Sequence, residues 1–288
     1  MCIRDRKLGE AGEAAEETSS IVASAAGGIM GFIMYMTIFV YGTMVMKGIA
    51  EEKTNRIVEV MLSSVKPFNL MLGKIVGIGA VGLTQFFIWI LSAGLLIFGM
   101  GLLMNAMMDP ATLQQMSDAQ QATGSAGMSQ EDIQMEITKA LESIKNLPIG
   151  WMIFSFIFFF FGGYLLYASL FAAVGSAVGE DASESQALVL PITIPIVLSF
   201  IILTTIIENP NGPLAFWSSI IPLSSPIIMP ARVAYGLSPF SLDFILSIVL
   251  MILGFLFTTW LAAKIYRTAI LLTGKKITFK EMWRWVRV

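Results

Sequence analysis

The chain has 288 residues, 56% hydrophobic and 13% charged. That is about half the ~25% charge of an ordinary soluble domain, and several apolar runs reach the ~20 residues a helix needs to cross a bilayer, so a soluble enzyme is excluded. The absence of histidine and the single cysteine, Cys2, remove histidine triads, histidine-ligated zinc, proton relays through imidazole, internal disulfides and thiolate clusters; the net charge of -2 says little, because in a membrane chain the placement of charge matters more than its sum.

In chain order, residues 1–20 contain no apolar segment and read as an extracytoplasmic remnant, with an opening Met1-Cys2-Ile3-Arg4-Asp5-Arg6 that looks like translated adapter sequence. The spans expected are Ile21–Met46, Ile75–Met104, Trp151–Val178, Ala187–Ile207 and Leu242–Ala263. None carries Asp, Glu, Lys or Arg in its interior; Asp243 sits at an entrance. Small residues four apart, Gly27 and Gly31, Gly73 and Gly77, and Ala168, Ala172 and Ser176, favour close helix packing, with a pore lining as the lesser alternative. Pro191 and Pro195 should bend the fourth span, as a hinge or a static kink. The stretch 213–235 is apolar but broken by Pro222, Pro226 and Pro230. It reads as a re-entrant or interfacial helix pair, tolerated at membrane depth only where protein covers its backbone. The fold class is therefore all-α membrane protein: five transmembrane helices plus this pair before the last span.

Between the spans, loop 47–74 is expected to be helical to about Leu62. Glu52 and Arg56, or Arg56 and Glu59, are spaced to pair, and Ile57, Val60 and Met61 form an apolar stripe on another face. It reads as a surface helix, either a docking face or simply a solvated one. In the outer loop 105–149, Ser129 with Asp132 resembles a capping box. Ile133, Ile137, Leu141 and Ile144 then share a helix face, which implies a surface-lying helix or a packed connector and no chemistry. Residues 268–288 form a basic tail.

Lysine and arginine set the orientation. Loop 47–74 holds Lys47, Lys53, Arg56, Lys66 and Lys74, and the chain from Lys264 holds seven more, against six elsewhere. The positive-inside rule places both in the cytoplasm, with loops 105–149 and 208–241 outside and loop 179–186 inside. Five spans then put the N-terminus outside, yet nothing before Ile21 could translocate it. The expectation is a C-terminal part of a longer protein whose upstream helix precedes this segment; the alternative is a chain that inserts unaided.

The spans show no carboxylate, lysine or histidine for ion coupling. Gly73-Lys74 and Gly274-Lys275 lack the rest of a phosphate loop. A transporter without either device draws its energy from another chain, or the protein is a passive channel. Glu51-Glu52-x-x-x-Arg56 also matches the signature of intramembrane CAAX-type proteases, but those need histidines on later helices and the pair lies in a loop; that reading is rejected.

The run Glu51-Glu52-Lys53-Thr54-Asn55-Arg56-Ile57-Val58-Glu59-Val60-Met61-Leu62-Ser63-Ser64, followed by Pro67-Phe68 and Leu72-Gly73-Lys74, resembles the first cytoplasmic loop of type 2 ABC transporter permeases, closest to the sodium-efflux, NatB-like branch. Pro222-Leu223-Ser224-Ser225-Pro226 with Met229-Pro230-Ala231-Arg232 is similar to that family's segment before the last helix, and Arg267 through Gly274-Lys275-Lys276 to Trp283-Arg284-Trp285 to its tail.

The resemblance implies an ABC-type-2 permease domain over 21–267, from a family with six transmembrane helices and a large extracytoplasmic domain after the first. It implies a coupling helix bearing Glu51, Glu52, Lys53, Arg56 and Glu59, docked on a separate ATP-binding subunit. It also implies an outer re-entrant segment bearing Pro222, Ser225, Pro226, Pro230 and Arg232, the last lining the exit or anchoring at lipid headgroups. The function implied is that of the non-catalytic permease subunit of an exporter, moving Na+, a peptide, a drug or a lipid out of the cytoplasm. Two ATPase copies, holding ATP and Mg, and a second permease, identical or not, would complete it in the cytoplasmic membrane of a prokaryote, with the C-terminus inside. No cofactor on this chain and no nucleic acid are expected. The alternative is an ATPase-independent channel or scaffold subunit.

Overall fold

The computed structural model describes residues 3–55, 57, 61, 64–107, 147–178, 182–270, 272 and 279–287. They form eight helices and no strand among the described residues: α1 Ile3–Thr54, α2 Pro67–Met107, α3 Ile149–Ala177, α4 Ala182–Glu208, α5 Pro213–Ile220, α6 Ser225–Ala234, α7 Leu242–Ala269 and α8 Phe279–Arg287. Five are long and apolar enough to cross a membrane, over Ile21–Thr54, Pro67–Leu103, Ile149–Ala177, Gln186–Glu208 and Leu242–Ala269. The chain divides into two units, residues 1–22 with 81–146, and 23–80 with 147–288. In the first, α2 beyond Val81 exposes Leu95, Leu96, Ile97 and Phe98, a surface suited to hydrocarbon. Everything below concerns the second.

That unit turns large apolar side chains outward as well as inward. On α7, Ile245, Val249, Ile252, Leu256 and Trp260 face outward while Ser247, Met251, Thr258 and Ala262 are buried. Lipid supplies no hydrophobic drive between helices, so small and hydroxylated residues go inward, where backbones approach and hydroxyls find carbonyls. α3 is the centre. It packs most extensively on α7 and also on α6 and α4, and Ser169 meets Thr259 of α7 at 3.1 Å.

The helix pair expected in 213–235 is present as α5 and α6. Pro213 opens α5 at a position where its missing N–H is no loss. All ten residues of α6 are buried, including Pro230 in its interior. The neighbouring helices cover its backbone, as a short proline-interrupted helix at membrane depth requires. α6 ends where Gly236 adopts φ +83° and its N–H bonds the Val233 carbonyl at 3.0 Å, a left-handed cap that favours glycine. Ser241 starts α7 by accepting from the Phe244 N–H at 3.3 Å.

Two features differ from expectation. Lys47–Thr54 prolongs α1 instead of beginning a separate surface helix, because its side chains are anchored on α2 and α3, as described below. α4 holds Pro191 and Pro195 in its interior. The tail also contains a helix, α8. The capping box and apolar face of loop 105–149 lie outside the described residues.

Of the small-residue stripes, Gly27 backs onto Ala231, a Cβ there standing 3.0 Å from the Ala231 carbonyl oxygen. Ala168, Ala172 and Ser176 are buried. Gly73 and Gly77, by contrast, have nothing within 4 Å of a Cβ position among the described residues. Gly48, near the other end of α1, faces the Lys74 side chain. Gly27 and Gly48 are separated by about 30 Å of helix, the thickness of a hydrocarbon core. The two charged clusters described next therefore lie at opposite ends of the spans.

Candidate functional site

At the Lys74 end, four helices meet through charge. Lys74 of α2 pairs with Glu52 Oε1 at 2.5 Å and donates to the Gly48 carbonyl at 2.7 Å, binding α2 to the last turns of α1. Lys53 is buried and donates to the Ser176 carbonyl at 2.6 Å. That carbonyl lies in the last turn of α3, where backbone acceptors lack helical partners and the helix dipole favours a cation. Tyr266 of α7 stands within electrostatic reach of Glu52. Glu52 Oε2 is buried and has no hydrogen-bond partner among the described residues.

The residues expected on the docking face do not all point the same way. Lys53 turns inward: neighbouring residues on a helix point about 100° apart, so Glu51 and Lys53 cannot share a face. Glu52 is spent on Lys74; its expected partner Arg56, and Glu59, lie outside the described residues. Glu51 is exposed, and so are Thr54, Asn55, Ile57, Val65, Lys66 and Phe68. Among these, Ile57, Val65 and Phe68 are large apolar side chains.

At the opposite end, Arg232 of α6 is 4% exposed. Its Nε donates to the Pro210 carbonyl at 3.0 Å, its Nη1 to Ser219 Oγ at 2.7 Å and its Nη2 to Asp243 Oδ2 at 2.8 Å. The guanidinium is enclosed by these partners. It ties α5, α6, α7 and the 209–212 turn into one piece. The other residues singled out there share that work. Ser225 bonds Ser247 of α7, which in turn donates to the Ser219 carbonyl at 2.8 Å. Pro226 fills the space beside Gly163, Pro222 sits against Gly254 of α7, and Tyr167 of α3 donates to the Leu223 carbonyl between α5 and α6. Tyr235 reaches the Ile207 carbonyl at 3.1 Å; burial pushes its phenol above the ordinary range, and a hydrogen bond with Ser24 partly offsets this.

A membrane bundle with charge clusters at both ends and a buried helix pair narrows the class, and comparison with known proteins decides it. Residues 13–264 match the ABC-2 family of transporter proteins. The chain belongs to this family. It is 29% identical over 251 residues to the uncharacterized protein MJ1024 of Methanocaldococcus jannaschii, covering 87% of this chain and 51% of that one. It is 27% identical over 288 residues to the uncharacterized protein YhaP of Bacillus subtilis, covering 100% and 61%. The chain thus spans about half to three-fifths of the curated relatives it matches. No solved structure matches it.

Within this ABC-2 chain, the sequence located both ends but not all their members. Lys74, Ser176, Ser219, Asp243 and Tyr266 complete the clusters and went unassigned. One signal was available: Asp243 and Arg232 are isolated charges flanked by apolar sequence, and such charges are seldom buried without a partner.

Proposed function

We propose that this chain is the membrane permease of an ATP-driven exporter, with loop 47–74 docking on a separate ATP-binding subunit in the cytoplasm. Membership of the ABC-2 family supports the class. The observation that carries the docking reading is the division of labour at the Lys74 end. Glu52, Lys53 and Lys74 lock the loop's base to α1, α2 and α3, while Glu51, Ile57, Val65 and Phe68 stand exposed beyond it. Exposed apolar side chains together with charged ones are the composition of a protein interface, and a rigid base passes movement on to the spans where a loose loop would absorb it.

ATP and Mg sit on the partner in this reading, two copies of each subunit enclose the path, and Na+ is the first cargo to test, with peptides, drugs and lipids as the alternatives. The protein lies in the cytoplasmic membrane of a prokaryote, its C-terminus inside. Arg56 and Glu59 belong to the proposed contact surface with Glu51; Glu52 and Lys53 support it from beneath.

The experiment is co-purification of the full gene product with the ATP-binding subunit encoded beside it. Phe68→Asp and Ile57→Asp should each weaken capture by tenfold or more, the loss typical of a truncated interface anchor, while leaving the permease folded. Unchanged capture, or a permease that purifies alone with no ATPase encoded nearby, would shift the reading to a channel or scaffold. With the complex in hand, hydrolysis stimulated by Na+ and by no other cargo would identify the sodium branch.

A further inference from the structure

The last helix, α8, packs against α7. We propose that α8 lies in the plane of the membrane at the Lys74 end of the bundle, with Trp283 at the acyl boundary and the basic side of the helix turned to anionic phospholipid headgroups. The inference depends only on the chain spanning a membrane, not on its having an ATPase partner.

Depth is the first argument. α7 has 28 residues, about 42 Å of helix, which matches a bilayer together with its headgroup regions. Met282 and Trp283 share an apolar groove with Leu261 and Ile265 of α7, which lie about 12 and 6 Å before that helix ends at Ala269. α8 is therefore folded back beside the last turns of a span, where acyl chains give way to headgroups, and is not held off in water. Tyr266 in the same turns stands near Glu52, so this is the Lys74 end. At this level Trp260, half exposed, carries Lys264 over its ring at 5.1 Å, an aromatic and basic pairing of the kind that marks a membrane interface.

The second argument is the order of residues around α8. Successive helix positions turn by about 100°, so three neighbours face three ways: Met282 is buried against the bundle, Trp283 is 60% exposed and Arg284 is exposed. The basic positions 280, 284 and 287 fall within one arc of about 60°, opposite Met282 and flanked by Trp283. Glu281, partly buried, lies outside that arc and is the one acid of the helix. Protein on one side, a tryptophan on the next and a basic arc beyond it make the section of a helix lying in the interface, its apolar residues down and its cations among phosphates. Three basic positions against one acid complement an anionic surface. An acidic protein would match the basic arc, but not the depth of Trp283 beside a span.

The test uses the full-length protein with its partners, Cys2 and any other cysteine replaced by serine, and a nitroxide attached at Trp283→Cys. In vesicles of equal phosphatidylglycerol and phosphatidylcholine, power saturation should find the label several-fold more accessible to oxygen than to a water-soluble nickel chelate. Lys280→Gln, Arg284→Gln and Arg287→Gln together, or vesicles of phosphatidylcholine alone, should lower that ratio about fivefold or more, the weight of one basic contact at a membrane surface. A label reached better by the nickel chelate in the mixed vesicles would put α8 in water and overturn the proposal. A label reached by neither would put a protein surface over Trp283, an ATPase or a second copy, and overturn it as well. An oxygen-accessible label indifferent to lipid charge and to the three glutamines would overturn the headgroup assignment. If the labelled variant does not extract as a single species, Trp283 is kept. Quenching of its fluorescence by phosphatidylglycerol brominated along the acyl chains is then read as the difference from Trp283→Phe; no quenched component would overturn the proposal.

Discussion

Removing the guanidinium of Arg232 would strip the Pro210 carbonyl, Ser219 and Asp243 of a donor at once. Breaking a buried ion pair on one side costs roughly 3–5 kcal/mol, because the survivor stays desolvated and unpaired; the partial exposure of Asp243 argues for the lower end. Arg232→Met should therefore lower the thermal midpoint in detergent sharply, and Asp243→Asn less. The double variant should recover part of the loss, because it leaves no unpaired charge. A double-mutant cycle on the three midpoints checks this; purely additive losses would mean that the pair is not a coupled unit. The sequence made both charges conspicuous but not their union. They are eleven residues apart across a turn, and only the folding of α6 back against α7 brings them together. The same holds for Glu52 and Lys74. Helical spacing suggested a local partner for Glu52 at Arg56, whereas the described bond comes from the next span.

Whole elements were easier to read than single contacts, because hydrophobic length is a property of one segment. All five spans and the broken helix pair were visible in that way. Their ends were not: bilayer thickness limits the apolar run and not the helix, so α1 continues through Lys47–Thr54 where its lysine and glutamate find partners. α8 was missed although its 3.6-residue alternation was on the page, hidden by the basic count that made the tail read only as an orientation signal. Small-residue stripes gave mixed guidance, since the spacing of Gly73 and Gly77 is as regular as that of Gly27 and Gly31. The structure separates them by what each faces. At Gly175 of α3 a Cβ would stand 2.5 Å from the Met46 carbonyl oxygen of α1, and backbone cannot swing aside as a side chain can. Gly175→Val should cost in the range of 1–3 kcal/mol typical of overpacking, or more. Gly77→Val, with open space around it, should change the midpoint little. Equal effects at the two positions would show that valine acts through the helix backbone and not through the α1–α3 contact.

For the molecule as a whole, the two charge clusters stand beside Gly27 and Gly48 of α1, about a hydrocarbon thickness apart, so fixing the side of one fixes the other. The docking proposal requires loop 47–74 inside, the side expected from the lysine and arginine count. The one cysteine of these 288 residues, Cys2, is replaced by Cys2→Ser, and any cysteine elsewhere in the full gene product likewise, to give a background without thiols. Asn69→Cys and Phe240→Cys then place single thiols on exposed positions, the first beside the proposed docking loop and the second, at 85% exposure, between α6 and α7. A membrane-impermeant maleimide added to intact cells should label position 240 and leave 69 unmodified until the membrane is permeabilised. The reverse pattern would put Ile57, Val65 and Phe68 on the outside, beyond reach of any cytoplasmic ATPase.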